Sequence, residues 1–179
     1  MTTQDTAQVH RDLEGLVGKT IRSLQRVFYA IGDVVERNEG PLQLEFNDGS
    51  VVLFQSGANG RDLTVRSTPW RDPFAGELSE ENRAYVAEHG KWSLFDVSGE
   101  HPFADVCGRR VARIAEIHLK EQLEAEGFPV AEAVAEGHIE NFGVIVGVLL
   151  CVDGLTIRVE SIMDELRVDV TAGQLPLHG

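Results

Sequence analysis

At 179 residues, with 42% hydrophobic and 25% charged side chains, the chain has the composition of a folded globular protein long enough to bury a sizeable core. A formal net charge of −13 argues against nucleic acid as a partner, because binding it relies on lysine and arginine neutralising phosphates. The longest apolar run, Phe142 to Val152, is too short for a membrane-spanning helix, and no basic stretch leads into an apolar one near the start, so a cytoplasmic protein without a membrane partner is expected.

In chain order, Val9, Leu13 and Leu16 fall on one face of a short amphipathic helix. The segment that follows fits two readings, with strand from Gly18 to about Tyr29 as one of them: Ile21, Leu24, Phe28, Ile31 and Val35 make a helical stripe, whereas the β-branched and aromatic content together with Gly32 suits strands. Strand is the reading preferred here. Leu42, Leu44 and Phe46 then alternate with polar residues, the chain turns through Asn47-Asp48-Gly49-Ser50, and Val52 and Phe54 resume the alternation. This pattern predicts a β-hairpin, since Asp-Gly supplies the positive φ angles that a tight turn needs. A loop from Gly57 to Arg61 leads into a short strand ending at Val65.

Residues 67–104 differ in character. Ser79 is a good helix N-cap, Glu80 and Glu81 suit a first turn, Gly90 closes a short helix, and Tyr85 and Val86 are expected to face the core. Pro69, Pro73 and Pro102 mark turns on either side of it. Farther on, Leu119 to Gly127 reads as a helix with a closing glycine. The apolar run ending at Val152 reads as a strand covered on both faces, in which Gly147 marks a bulge or a close backbone approach. Asp153-Gly154 supplies a second hairpin turn, and a final strand ends at Val168.

The chain also resembles itself. Gly18, Lys19, Ile21 and Leu24 answer Gly108, Arg109, Val111 and Ile114, and Asp48-Gly49 answers Asp153-Gly154. Leu44 and Phe46 fall on Leu149 and Cys151, while Val52, Phe54, Gln55 and Ser56 answer Ile157, Val159, Glu160 and Ser161. The order of the segments is kept and the length differences fall in loops, as an internal repeat requires. The expected fold is therefore α+β and β-rich, a tandem duplication of an antiparallel β-meander unit with a short helical connector. Repeat one covers about 15–66, the connector 67–104 and repeat two about 105–170, within a single integrated domain over 1–179. Pairing is needed because one small meander cannot bury its apolar face alone.

Acid is concentrated in the second half: Glu116 to Asp169 holds twelve acids against Lys120, Arg158 and Arg167. Chemistry-bearing motifs are missing. There is no GxSxG, the histidines lack HxH or HExxH spacing, and Cys107 and Cys151 lie in no CxxC pair, so no catalytic residue, metal, cofactor or disulfide is expected.

Function should then lie where the repeats differ. The candidate binding residues are Trp70, Arg71, Asp72 and Trp92 of the connector, where aromatics beside arginine match the composition of binding hot spots, together with Glu121, Glu124, Glu132 and Glu136 of the acidic insertion. The bland role for the tryptophans is to seal the seam between the repeats. The expected function is non-enzymatic: an acidic, immunity-type protein that binds a basic protein partner. The alternative is small-molecule binding or catalysis in a cleft between the repeats, and homo-oligomerisation through strand edges is a third arrangement.

Overall fold

A computed structural model describes residues 6–37, 40–57, 60, 62–127, 130, 143–162 and 165–173. Among them lie two antiparallel sheets and three α-helices, an α+β, β-rich architecture. The first sheet contains β1 (Ile21–Ile31), β2 (Val34–Glu36), β3 (Leu42–Phe46), β4 (Val51–Ser56), β5 (Leu63–Arg66) and β6 (Lys91–Asp96). Because β6 pairs with Gln25 to Ala30, overlapping the spans paired with β3 and with β2, those two strands share one edge of β1 and β6 takes the other. The second sheet has the order β10-β9-β8-β7, from β7 (Val111–His118), β8 (Ile145–Val152), β9 (Leu155–Ile162) and β10 (Glu165–Ala172). The helices are α1 (Thr6–Glu14), α2 (Glu80–His89) and α3 (Leu119–Ala125).

One hydrophobic cluster takes side chains from both sheets. Leu24, Phe28, Leu44, Phe46 and Phe54 meet Val148, Leu150, Ile157, Val159 and Leu166, and α1 adds Val9 and Leu13 from its apolar stripe. A smaller cluster, Ile117, Leu119 and Val146 with Leu123, forms where α3 covers the far side of the second sheet. The run through β8 is buried on both faces for this reason. The ambiguous segment is strand, as preferred, because its residues pair with three other strands and tertiary pairing outweighs helical periodicity.

Each sheet contains the same local sequence of events: a strand that shifts register near its start, between Ile21 and Ser23 or between Val111 and Arg113, and then a hairpin and a closing strand. The hairpins differ by one residue at the turn. In the first, the Phe46 N–H donates to Ser50 O and Gly49 N to Phe46 O, whereas in the second Val152 pairs directly with Leu155 across Asp153 (φ 39) and Gly154 (φ 88). Leu42–Phe54 and Leu44–Val52 therefore correspond to Val148–Val159 and Leu150–Ile157. The sequence match of Leu44 and Phe46 with Leu149 and Cys151 is thus one residue out of register. A one-residue slip reverses the face of every side chain, and the core-facing partners are Leu150 and Val152, both fully buried.

The sheets meet at their first strands. The Gly18 N–H donates to Val111 O (2.8 Å) and Val111 N to Lys19 O (2.8 Å), while Gly108 N donates to Ile21 O (2.8 Å) and Ile21 N to Arg109 O (2.9 Å). Thr20 and Arg110 face each other at the centre of this exchange.

The connector contains the expected helix, with the Ser79 hydroxyl accepting from Asn82 N (3.2 Å) and Gly90 following at φ 73. Its orientation differs from expectation. Tyr85 is exposed and Val86 half-buried, so neither enters the core. The helix has no single apolar face, and it is held by its caps, by the Phe74 ring stacked on Tyr85 and by Gly90, at which a Cβ would stand 2.5 Å from the Ala30 carbonyl oxygen.

Gly147 is both things its position implied. It lies next to the register shift between Ile117 and His118, and a Cβ there would come within 2.8 Å of Val159 O and 2.7 Å of the Glu160 side chain, which pairs across from it. Gly147→Val should cost about 1–3 kcal/mol by overpacking, measured by urea unfolding. Gly99→Ala, at a site with no atom within 4 Å of the added carbon, is the control and should stay within about 0.5 kcal/mol.

Candidate functional site

After β5 the chain crosses the outer face of the first sheet, and polar side chains of that face hold it. The Trp70 N–H donates to Gln43 Oε1 (2.7 Å), and Gln43 in turn donates to Gln25 on β1. Two residues on, Asp72 accepts from Phe74 N (2.8 Å) and forms an ion pair with Lys91 at the start of β6. Burial works against the Asp72 carboxylate, but Lys91 and the Phe74 N–H together keep its pKa below the ordinary value. The start of the connector is thereby tied to β6, a strand within the connector itself.

Cross-strand pairing fixes what lies on that face. Tyr29 faces Trp92 and Glu36, Val27 faces Leu94, Gln25 faces Asp96 and Ile31 faces Val34. Directly opposed residues in an antiparallel ladder share a face. Trp92 and Leu94 therefore stand beside Tyr29 and Ile31, with the Tyr29 and Trp92 rings in edge contact, centroids 5.6 Å apart. Six large hydrophobic residues are exposed among the described residues. Five of them, Ile31, Val34, Tyr85, Trp92 and Leu94, belong to β1, β2, α2 and β6. Val34, beside the β1–β2 turn, is 61% exposed, and it is its grouping with Ile31, Trp92 and Leu94 that makes the surface informative. Exposed acids flank this surface at Asp33, Glu36, Glu88 and Asp96.

Trp92 also borders a cavity of about 470 Å³. Trp70, Val27, Pro41 and Leu166 supply its other apolar walls, and Gln55 and Ser56 its polar groups. It sits at the seam between the sheets, where the Ser56 hydroxyl donates to Glu165 O (2.7 Å). Behind the wall lies Arg26, only 4% exposed. Its guanidinium donates to the Gly40 and Leu166 carbonyls (3.1 Å each), and desolvation lowers its pKa to about 10. No carboxylate pairs with it among the described residues, and its Nε has no hydrogen-bond partner.

Of the residues singled out from sequence, Trp70, Asp72 and Trp92 are thus brought together, and Arg71 is exposed beside them. Glu121 and Glu124 lie elsewhere, on α3. Glu121 accepts from the His118 N–H (3.2 Å) and Glu124 pairs with Lys120 (3.7 Å). Glu132 and Glu136 fall outside the described residues. Sequence reasoning missed Leu94, Ile31 and Val34, although the alternation of Trp92, Leu94 and Asp96 was a signal for β6.

A second cavity, of about 480 Å³, lies between α1 and β7 and is lined by His10, Glu14, Glu116, His118 and Glu121, among others. No group of three or more such side chains among the described residues could hold a metal ion. His10 does bridge the elements, with Nδ1 2.7 Å from Glu116 and Nε2 3.1 Å from Glu14.

No protein-family model, curated protein or solved structure matches the chain.

The hydrogen bond to Glu116, followed by the charges of Glu116 and Glu14, raises the His10 pKa above 6.5. A group whose pKa is higher folded than unfolded stabilises fully below the unfolded value and loses that contribution as pH rises through the folded one. The melting temperature of the wild type should exceed that of His10→Gln at about pH 5.5, and the difference should close by about pH 9. A difference independent of pH would show that the ion pair does not anchor α1.

Proposed function

We propose that this chain is a non-catalytic binding protein of the immunity type, which takes a basic protein partner on the exposed face formed by β1, β2 and β6. The observation that carries this reading is the combination of exposed Val34, Trp92 and Leu94 with a flank of acids at Asp33, Glu36 and Asp96. Apolar centres with a charged rim suit protein recognition, the apolar part giving affinity and the rim giving encounter rate and choice of sign. The net charge of −13 favours a cation as the complement.

The location agrees with a further part of the proposal, that the protein is one integrated domain of two related units. The reciprocal bonds of Gly18 and Gly108 and the matching meanders support duplication. On that view β2, α2 and β6 are additions to the first unit, and an added surface is where a unit acquires a role its copy lacks. The proposal keeps the protein away from nucleic acid, on the charge argument, and places it in the cytoplasm, on the sequence reading that found no signal-like start and no apolar run of spanning length.

A second reading has its own observation. The cavity between Trp70 and Trp92, with a buried arginine behind it, has the size and lining of a small-molecule site. Quenching of tryptophan fluorescence by members of a small-molecule panel, lost in Trp70→Ala, would support it. A panel without any response would remove it.

Immobilised protein should retain a basic partner from lysate at low salt and release it at high salt. The Trp92→Asp/Leu94→Asp variant, its fold checked by circular dichroism, should bind that partner at least ~30-fold more weakly, the scale of a lost hot spot. Equal capture by the variant, or no capture at either salt, would overturn the reading.

A further inference from the structure

We propose that the outer edge of β6 is a strand-addition site, which takes an extended basic segment of the partner as one more strand of the first sheet. The inference rests on the protein-binding reading above and specifies how the partner is held. β6 pairs through one edge only, with β1, and among the described residues no strand pairs with its other edge. A bare edge of this kind is a template for another chain.

Edges are usually blunted by proline, by a bulge, by lysine or by a very short strand. β6 has none of these in effect. Its register with β1 runs without a shift from Ala30↔Lys91 to Gln25↔Asp96, it contains no proline, and its lysine is drawn to Asp72. Six residues match the length of an ordinary strand. Backbone pairing would therefore be continuous along it.

The exposed side chains specify the occupant. Exposure alternates along the strand, with Trp92, Leu94 and Asp96 outward. Side chains of an added strand stand about 4.5–5.5 Å from those directly opposite. An antiparallel guest would place a cation opposite Asp96, an aliphatic residue opposite Leu94 and another opposite Trp92, so the recognised pattern is cation, any residue, aliphatic, any residue, aliphatic. A second copy of this chain is the poorer guest, because each copy carries a charge of −13 and would repel the other.

The test uses the full chain and three synthetic peptides at millimolar concentration: Lys-Thr-Val-Thr-Val-Thr, the same peptide with glutamate for lysine, and a version with proline for the second and fourth residues, which cannot donate a continuous set of backbone bonds. Amide hydrogen exchange over residues 91–96 should slow by roughly tenfold with the lysine peptide and stay unchanged with the other two. Unchanged exchange at 91–96 with the lysine peptide overturns the proposal, as does an equal response to all three. Protection of 91–96 without peptide that grows with protein concentration, matched by a dimer in gel filtration, overturns it in favour of self-association. A lysate partner lost in the Trp92→Asp/Leu94→Asp variant but leaving exchange at 91–96 unchanged would sink strand addition alone. Absence of any lysate partner, with the peptide response intact, would sink the wider reading instead.

Discussion

The structure depends on the exchange of backbone hydrogen bonds between Gly18–Ile21 and Gly108–Val111. Each strand gives two bonds and receives two at nearly equal lengths, and this seam fixes where β1 and β7 begin. It can form only because Gly18 and Gly108 have φ of +88° and +80°, in the region that a side chain disfavours. No atom lies within 4 Å of a Cβ built at either glycine, so the requirement is one of backbone conformation and not of space. Ahead of each glycine a tight turn closes in the same way, Lys19 N to Leu16 O and Arg109 N to Val106 O, and buries Leu16 and Val106. The following basic residues then reach the hairpin turns of their own sheets. Lys19 pairs with Asp48 (3.0 Å) and Arg109 donates to Asp153 O (2.7 Å).

From that seam the two sheets diverge in what they do with their other faces. The second sheet covers part of its far side with α3, and the pair Arg158 and Glu160 closes over Gly147. Among the described residues, the connector covers part of the outer face of the first sheet. Gln43 is buried because the Trp70 backbone needs its amide, and Val27 is buried between Leu94 and the tryptophan cavity. Beyond the crossing Tyr29 is half-buried against Trp92, and Ile31 and Val34 are exposed.

Local chemistry was legible in the sequence and long-range coverage was not. Asp-Gly in each hairpin, Ser79 and Gly90 around α2, and the glycine-led segments at residues 18 and 108 all carry their signal within a few residues. β6 does not: its alternation spans only Trp92, Leu94 and Asp96, and it becomes a strand because β1, far away in sequence, offers an edge. Tyr85 was misread because a short helix with scattered apolar residues does not declare which side is buried. Of the candidate site, Trp70, Asp72 and Trp92 were found as aromatics and acid near turns. Arg26 was invisible, since nothing in "LQRVF" tells that its guanidinium lies between two carbonyl groups and has lost its water. Glu121 was expected among the binding acids from its place in an acidic run, which does not reveal that its carboxylate accepts from the His118 N–H at the start of its own helix.

An edge strand of the second sheet shows that the surface of β6 is not a general property of this fold. β10 is also an edge, longer than β6 and equally regular in its pairing. Its exposed positions, however, are Glu165, Arg167, Thr171 and Ala172, and Arg167 is held against the neighbouring Asp169 at 2.7 Å. Charges fixed at an edge resist pairing because a second strand would have to desolvate them. β6 presents tryptophan and leucine at the equivalent alternating positions, and its one lysine is turned inward to Asp72. The backbone at the start of β10 is also engaged by the first sheet, since Glu165 O accepts from the Ser56 hydroxyl and Leu166 O from Arg26. The two edges thus differ both in the side chains they present and in how far their backbone is already engaged.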